Sequence, residues 1–254
     1  MKAMSKFAFD RVKHAAQKLG VAISYYPPPG SYERHLRDFI AEAGINVVLD
    51  IGAYTGDWAR ELRKIGYSGR IISFEPVSAS YERLCAAMHE DPEWSGEPFG
   101  LSNENRIAQI HTYSKGDFNS LLNLREDAEQ AYSLDHSCRS ETSITLKRLD
   151  AVLPQLLEGI KSPQVFMKMD TQGHDISVME GASGVLGTIR GIQSELPAVE
   201  IYDGMVSMPE ALSYFASRGF VPTGFYPVNT FRDLQITPEF DILLNRFEGR
   251  LERD

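Results

Sequence analysis

The feature that most constrains this chain is the near-continuous apolar run "INVVLDI", Ile45 to Ile51, which stops at a glycine and gives way to a helical pattern. A strand apolar at almost every position has no polar face to offer water, so it must be buried on both sides, as in a parallel sheet covered by helices. The alternation recurs along the chain. "GRIISFEP" is a second strand, and "SASYERLCAAMHE" places Tyr81, Leu84, Cys85 and Met88 on one helical stripe. "EPFGLSN" reads as a third strand, "QVFMKMD" resumes the parallel set, and "IRGIQSELP" follows the helical "ISVMEGASGVLG". "RIAQIHTY" and "TSITLKRLD" alternate with period two and predict an antiparallel addition, and "MPEALSYFASRG", "FVPTGFYPV" and "FDILLNR" predict a helix and two strands. The expected fold is α/β: a doubly wound, mostly parallel, Rossmann-like sheet with helices on both faces and an antiparallel end.

Residues 45–248 are expected to form this one domain, since 254 residues at 43% hydrophobic suffice for one substantial core. Residues 1–44 are set apart as a helical segment and a proline-rich connector. Phe9, Val12, Ala16 and Leu19 fall at helical spacing before Gly20, and the three prolines of "YYPPPGSY" cannot continue a helix. Packing on its own domain is the expectation for the first helix, with peripheral contact to an anionic membrane surface as the alternative. The stretch 114–141 is too long for a plain connection and too polar for core, and is expected to cover the substrate side.

A net charge of -9 disfavours a nucleic-acid partner, which needs clustered Lys and Arg. Two cysteines, Cys85 and Cys138, give neither a zinc pattern nor a disulfide framework. With no apolar run of membrane-spanning length and no signal-type segment, a cytoplasmic location is expected, and a homo-oligomer stays open.

In such a sheet, ligands sit beyond the carboxyl ends of the strands where the winding reverses, which is where the first strand-to-helix turn falls. The order Gly52-Ala53-Tyr54-Thr55-Gly56 breaks the G-x-G-x-x-G pattern a dinucleotide pyrophosphate requires. Asp50 ends the strand with a carboxylate that would welcome an ammonium group, and Glu75 ends the second strand, where an acid accepts from both ribose hydroxyls. An amino acid joined to a nucleoside is S-adenosylmethionine.

Those residues resemble the FkbM-type methyltransferases, a family of S-adenosylmethionine-dependent O-methyltransferases. The resemblance runs over roughly Ile45 to Arg246, in "VVLDIGAYTGDWARELRKIGYSGRIISFEP", "TLKRLDAVL", "FMKMDTQGHDISVMEGA" and "GIQSELPAVEIYDG". It implies the class I methyltransferase fold and S-adenosyl-L-methionine as cofactor. Asp50, Gly52, Ala53, Tyr54 and Gly56 would frame the methionine end, Glu75 with Pro76 the ribose, Ser102 and Asn103 the adenine, and Asp170 the methyl-transfer region. It also implies methylation of a hydroxyl on a sugar of a glycan or glycosylated metabolite. The chain departs from the family at Tyr54, where members often carry Asn, and at His174 and Asp175, where an aromatic residue and Glu are common.

Methyl transfer from a sulfonium needs no acid, but an alcohol nucleophile needs a base. Lys168, Asp170, His174 and Glu195 are expected together at neighbouring strand ends. His174, which ordinarily titrates near neutral pH, or Asp170 is the most economical base. Asp170, His174 and Glu195 could ligate a cation, yet their spacing matches no metal motif, so no obligatory metal is expected. Asn119, Ser120, His136 and Arg139 are candidate acceptor contacts. Two other readings compete: a nicotinamide-dependent oxidoreductase, which the broken glycine pattern disfavours, and a non-catalytic S-adenosylmethionine-binding protein.

Overall fold

The computed structural model describes residues 6–21, 23–24, 26–113, 116–132, 140–228, 230–231 and 235–247. In chain order the elements are α1 (Lys6–Lys18), α2 (Tyr32–Glu42), β1 (Val47–Ile51), α3 (Asp57–Lys64), β2 (Arg70–Phe74), α4 (Ser78–Met88), β3 (Trp94–Glu97), β4 (Gly100–Leu101), β5 (Arg106–Thr112), α5 (Glu126–Ala131), β6 (Ser140–Lys147), α6 (Leu149–Leu156), β7 (Val165–Met169), α7 (Asp175–Gly181), β8 (Ile189–Pro197), α8 (Met208–Ser217), β9 (Phe220–Pro227) and β10 (Glu239–Arg246).

Every residue of β1 and of β7 is buried, as strands without a polar face require. They are neighbours at the centre of a seven-stranded sheet of order β3-β2-β1-β7-β8-β10-β9, parallel except for β10, which runs against both β8 and β9. Strand direction alternates side chains between faces. Val47, Leu49, Val165 and Met167 meet α6, α7 and α8 through Leu149, Val178, Met179 and Phe215. Val48 and Phe166 point the other way, into α2, α3 and α4 through Leu36, Ile40, Leu62 and Leu84. The doubly wound sheet with an antiparallel end is therefore what the sequence predicts.

Two boundaries differ from the sequence reading. The domain begins before residue 45, because α2, capped at Ser31 through its side chain, buries Leu36 and Ile40 against the sheet and sets Phe39 against Phe166 at 5.9 Å. "EPFGLSN" is not one strand: β3 ends at Glu97, and β4 leaves to join β6 and β5 in a separate three-stranded sheet. The first helix forms as the sequence predicts, with Phe9 and Ala16 half-buried.

The strand register aligns a polar row across this apolar sheet: Ser73 on β2, Asp50 on β1, Lys168 on β7 and Gln193 on β8. Trp94 Nε1 donates to Ser73 Oγ at 2.9 Å, and Ser73 Oγ donates to Asp50 Oδ2 at 3.2 Å. Lys168 Nζ lies 3.2 Å from Asp50 Oδ1 and donates to the Gly52 carbonyl at 3.2 Å. Burial by itself would push Lys168 down, but the charges of Asp50 and then Asp170 outweigh it and raise the ammonium, which stays charged. Gln193 accepts from Tyr32 on α2, whose hydroxyl accepts in turn from Trp58 Nε1 on α3 at 2.7 Å.

Removing one member of a buried ion pair leaves an uncompensated charge. Lys168→Met should therefore cost about 3–5 kcal/mol of folding free energy, and Asp50→Asn in the same chain should restore much of it. Urea unfolding of both single variants and the double variant measures the coupling; independent, additive losses would show that the two side chains do not stabilise each other.

Candidate functional site

Strands β1 and β7 are where the winding reverses, and a cavity of about 590 Å³ opens beyond their carboxyl ends. One side is the turn after β1. Gly52 sits at φ +75°, and a Cβ there would lie 2.0 Å from the Asp170 carbonyl oxygen, so only glycine lets the two strand ends approach. Gly56, at φ +83°, packs under Trp94 and Leu84 and begins α3. Tyr54 holds φ +48° without being glycine, a conformation that costs a side chain about 1–3 kcal/mol. Its ring lies so close to Gly116 that a Cβ there would be 2.4 Å from Tyr54 Cε2. The ring thus spans from the cofactor-type loop to the cover, and both residues line the cavity.

Glu75 lies just past β2 and is nearly buried. Val77 N donates to its Oε1 at 2.8 Å, and Tyr54 N to its Oε2 at 2.9 Å. Burial raises its pKa to about 7 against the pull of those two donors. Beside it Pro76, Val77, Leu101, Ile110, Ile144 and Leu146 form an apolar wall built largely by the small sheet.

The opposite side comes from the turn after β7. Asp175 knits it together, accepting from Thr171 N at 3.1 Å and from Ser194 Oγ at 2.5 Å. Asp170 is half-exposed to the cavity, its Oδ2 3.5 Å from Lys168 Nζ. Gln172, at φ +50°, donates through Nε2 to Asp170 Oδ1 at 2.9 Å and to Glu195 Oε1 at 3.2 Å, and accepts from the Tyr202 hydroxyl at 2.7 Å. Burial, then the negative charges of Asp170, Glu239 and Asp241, raise the Glu195 carboxyl well above its ordinary range. Glu239 faces the same cavity and accepts from the Tyr132 hydroxyl at 2.8 Å.

The sequence-predicted residues divide accordingly. Gly52, Ala53, Tyr54, Glu75, Pro76, Lys168, Asp170, His174 and Glu195 line one cavity. Asp50 does not: it is fully buried beneath the turn, and the ammonium it receives is that of Lys168. Ser102 and Asn103 do not either, because the chain turns away after β4. Ser102 Oγ is 2.9 Å from His174 Nε2, and Asn103 donates to Glu180 at 2.9 Å. Burial and then the charge of Arg106 lower the His174 pKa to about 4, below the neutral range of an ordinary histidine. In the cover, Asn119 lines the cavity, whereas Ser120 is buried and donates to the Gln172 carbonyl at 2.7 Å. His136 and Arg139 lie outside the described residues. Among the described residues no group of three or more His, Cys, Asp and Glu side chains is placed to hold a metal ion.

Sequence reasoning missed Gln172, Tyr132, Tyr202, Glu239 and Gly116. Only Gln172 carried a local signal, since with Thr171 it fills the two positions between the "KMD" strand end and Gly173. Gly116, Tyr132 and Glu239 reach the cavity from positions far along the chain, and Tyr202 stands behind it, donating to Gln172.

Among solved structures, an rRNA methylase from Streptococcus thermophilus is similar at 13% identity, over 86% of this chain and 99% of that one, with a TM-score of 0.47. The magnesium protoporphyrin IX methyltransferase of Synechocystis, solved with bound SAM, gives 9%, 97%, 87% and 0.45 for the same four measures. A Burkholderia thailandensis 1,6-didemethyltoxoflavin N1-methyltransferase gives 10%, 98%, 92% and 0.44. A comparison with curated protein sequences returns no match. The sequence profile of the methyltransferase FkbM domain, by contrast, matches residues 50–222, from the buried acid of β1 through the cavity-forming turns to β9. That span is well over half of the chain and holds the glycine turn, Glu75 and the turn after β7. The chain belongs to the FkbM methyltransferase family, whose methyl donor is S-adenosylmethionine.

Proposed function

We propose that this chain methylates a hydroxyl group of a sugar, in a glycan or a glycosylated metabolite. The observation that carries the reading is the placement of Glu75 and Asp170 on either side of β1 in one cavity, past the ends of β2 and β7. The residues present fit the donor. Each Glu75 oxygen is fixed by one backbone N–H and keeps a lone pair for a ribose hydroxyl, the apolar wall suits a base, and glycine at 52 lets the ends of β1 and β7 close together beneath the cavity. The donor when bound supplies an electrophilic methyl carbon on a sulfonium whose thioether departs neutral.

The chain's own residues then have two tasks. One is to hold the acceptor oxygen in line with the methyl carbon and keep water out, which falls to the Tyr54–Gly116 contact and the cover beside it. The other is to take the proton released as the new O–C bond forms. His174 is poorly suited, because a group lowered to about 4 is a weak proton acceptor and its Nε2 already faces Ser102. Lys168 stays protonated and has no lone pair to offer. Asp170 is the proton acceptor in this reading: a half-exposed carboxylate whose Oδ1 is oriented by Gln172 and whose negative charge also suits a cationic donor. The sugar acceptor rests on the family resemblance, and the acid-lined far wall, where Glu195 and Glu239 can accept from several hydroxyls, is compatible with it.

Glu75 sets a pH dependence. Its carboxylate must be ionised to accept from both ribose hydroxyls, so protons compete with the donor as pH falls through about 7. Affinity for S-adenosylmethionine should rise about tenfold from pH 6 to pH 8 with proton release on binding, and Glu75→Gln should bind more weakly and lose that slope. Calorimetry in two buffers of different ionisation enthalpy reads both; a flat profile in the native chain would remove Glu75 from the ribose site.

Release of S-adenosylhomocysteine with a panel of glycosides and nucleotide sugars tests the reaction itself. Asp170→Asn should lower turnover by about 100-fold or more with a smaller change in donor affinity, and His174→Ala should do less. Donor binding without product from any sugar, together with product from a non-sugar acceptor, would overturn the sugar assignment. Binding with no product from any acceptor would favour the non-catalytic reading.

A further inference from the structure

The side-chain amide of Gln172 has two ends of nearly the same size, so shape alone does not decide which of them faces the acids of the cavity. As the amide stands, both Nε2 hydrogens are spent on carboxyl oxygens, one on Asp170 Oδ1 at 2.9 Å and one on Glu195 Oε1 at 3.2 Å. Turned over, it would set its oxygen against the Asp170 carboxylate and take that donor away. What fixes the orientation is the Tyr202 hydroxyl, which donates to Gln172 Oε1 at 2.7 Å. The hydroxyl keeps its proton, because burial and then the negative charges of Glu239, Asp170 and Glu195 raise the phenol well above its ordinary range.

Tyr202 is 1% exposed and stands behind the cavity wall, out of reach of donor and acceptor. It belongs to the layer beneath the cover. Its ring packs with Tyr113, Leu124, Ala128 and Met205, and its backbone bridges Leu124. On either side, Arg125 N donates to the Ile201 carbonyl at 3.0 Å and Asp203 N to the Asn123 carbonyl at 2.8 Å. The cover also grips the turn after β7 directly. Ser120 Oγ donates to the Gln172 carbonyl at 2.7 Å, and a Cβ on Gly173, at φ +93°, would lie 3.0 Å from Leu122 Cδ1. These contacts sustain φ +50° at Gln172, a left-handed backbone that side chains rarely adopt. We propose that Tyr202 is a positioning residue for methyl transfer: it orients the Gln172 amide, which aims the Asp170 carboxylate at the acceptor oxygen, so that the segment covering the substrate side also sets the geometry of the base. The role rests on Asp170 being the proton acceptor.

Turnover and a crystal structure test it together. Turnover is S-adenosylhomocysteine release on the best acceptor of the glycoside and nucleotide-sugar panel, and the crystal is of the Tyr202→Phe chain with S-adenosylhomocysteine bound. Tyr202→Phe removes one hydroxyl from a buried ring; it should lower kcat about tenfold and leave KM for S-adenosylmethionine near its native value. Gln172→Met keeps the length without the donors and should lower kcat by up to about a hundredfold, and adding Tyr202→Phe to it should cost nothing further. In the Asp170→Asn background Tyr202→Phe should change kcat by less than about twofold, whereas a general loosening of the fold would add its loss to either chain. In the crystal, Asp170 Oδ1 should lie outside hydrogen-bond distance of the Gln172 amide. Native kcat in the Tyr202→Phe chain, a loss that persists undiminished in the Asp170→Asn background, or an unmoved contact between Gln172 and Asp170 would each overturn the proposal. If no acceptor of the panel turns over, the crystal structure decides alone, by the same contact. Native turnover by Asp170→Asn would instead overturn the base assignment, and the positioning role with it.

Discussion

The buried ion pair between Asp50 and Lys168 is the constraint on which the rest of this structure depends. The two residues are register partners on the central strands, on the same face, one step below the carboxyl ends where the winding reverses. Neither charge is tolerable there alone, since the interior offers no water to solvate it. Lys168 therefore spans to the Gly52 carbonyl and toward Asp170 as well as to Asp50, tying together the two turns that make the cavity. The same row reaches outward through Gln193 and Tyr32 to α2 and through Ser73 to Trp94, which is how segments far apart in sequence are held to the site.

Around that pair the cavity has two chemically different sides. The β2 side offers one nearly buried carboxylate and an apolar wall, a combination suited to a nucleoside. The β7 and β8 side offers carboxyl groups linked by an amide and hydroxyls, suited to orienting hydroxyls and receiving a proton. Tyr54 links the turn after β1 to the cover at Gly116. A non-glycine residue in the left-handed region is expensive, and its ring contact with Gly116 gives a physical reason for a tyrosine where family members often carry asparagine.

Much of this was legible in the sequence because it depends on local patterns. Apolar runs without polar alternation announced the central strands, and the glycine spacing after β1 announced a turn that is not a pyrophosphate cradle. Glu75 and Asp170 were legible as acids at strand ends. Asp50, Ser102 and His174 sit in environments that the local pattern does not reveal: Asp50 is paired with Lys168 in the interior, and Ser102 faces His174. Which way a strand-end side chain faces, and how deeply it is buried, depends on neighbours contributed by other segments.

The sequence by itself determined the order of elements, the doubly wound class, the position of the cofactor turn and the amphipathic character of the first helix, since each follows from spacing within a few residues. Tertiary structure alone decided that the Asp50 charge is spent inside the protein, that burial lowers the His174 pKa, that Gln172 links Asp170 to Glu195, and that Tyr132 and Glu239 reach the cavity. The physical reason is common to all four. Electrostatic environment and hydrogen-bond partnership are set by distances across the sheet, and the separations involved, such as 107 residues between Tyr132 and Glu239, leave no trace in local sequence.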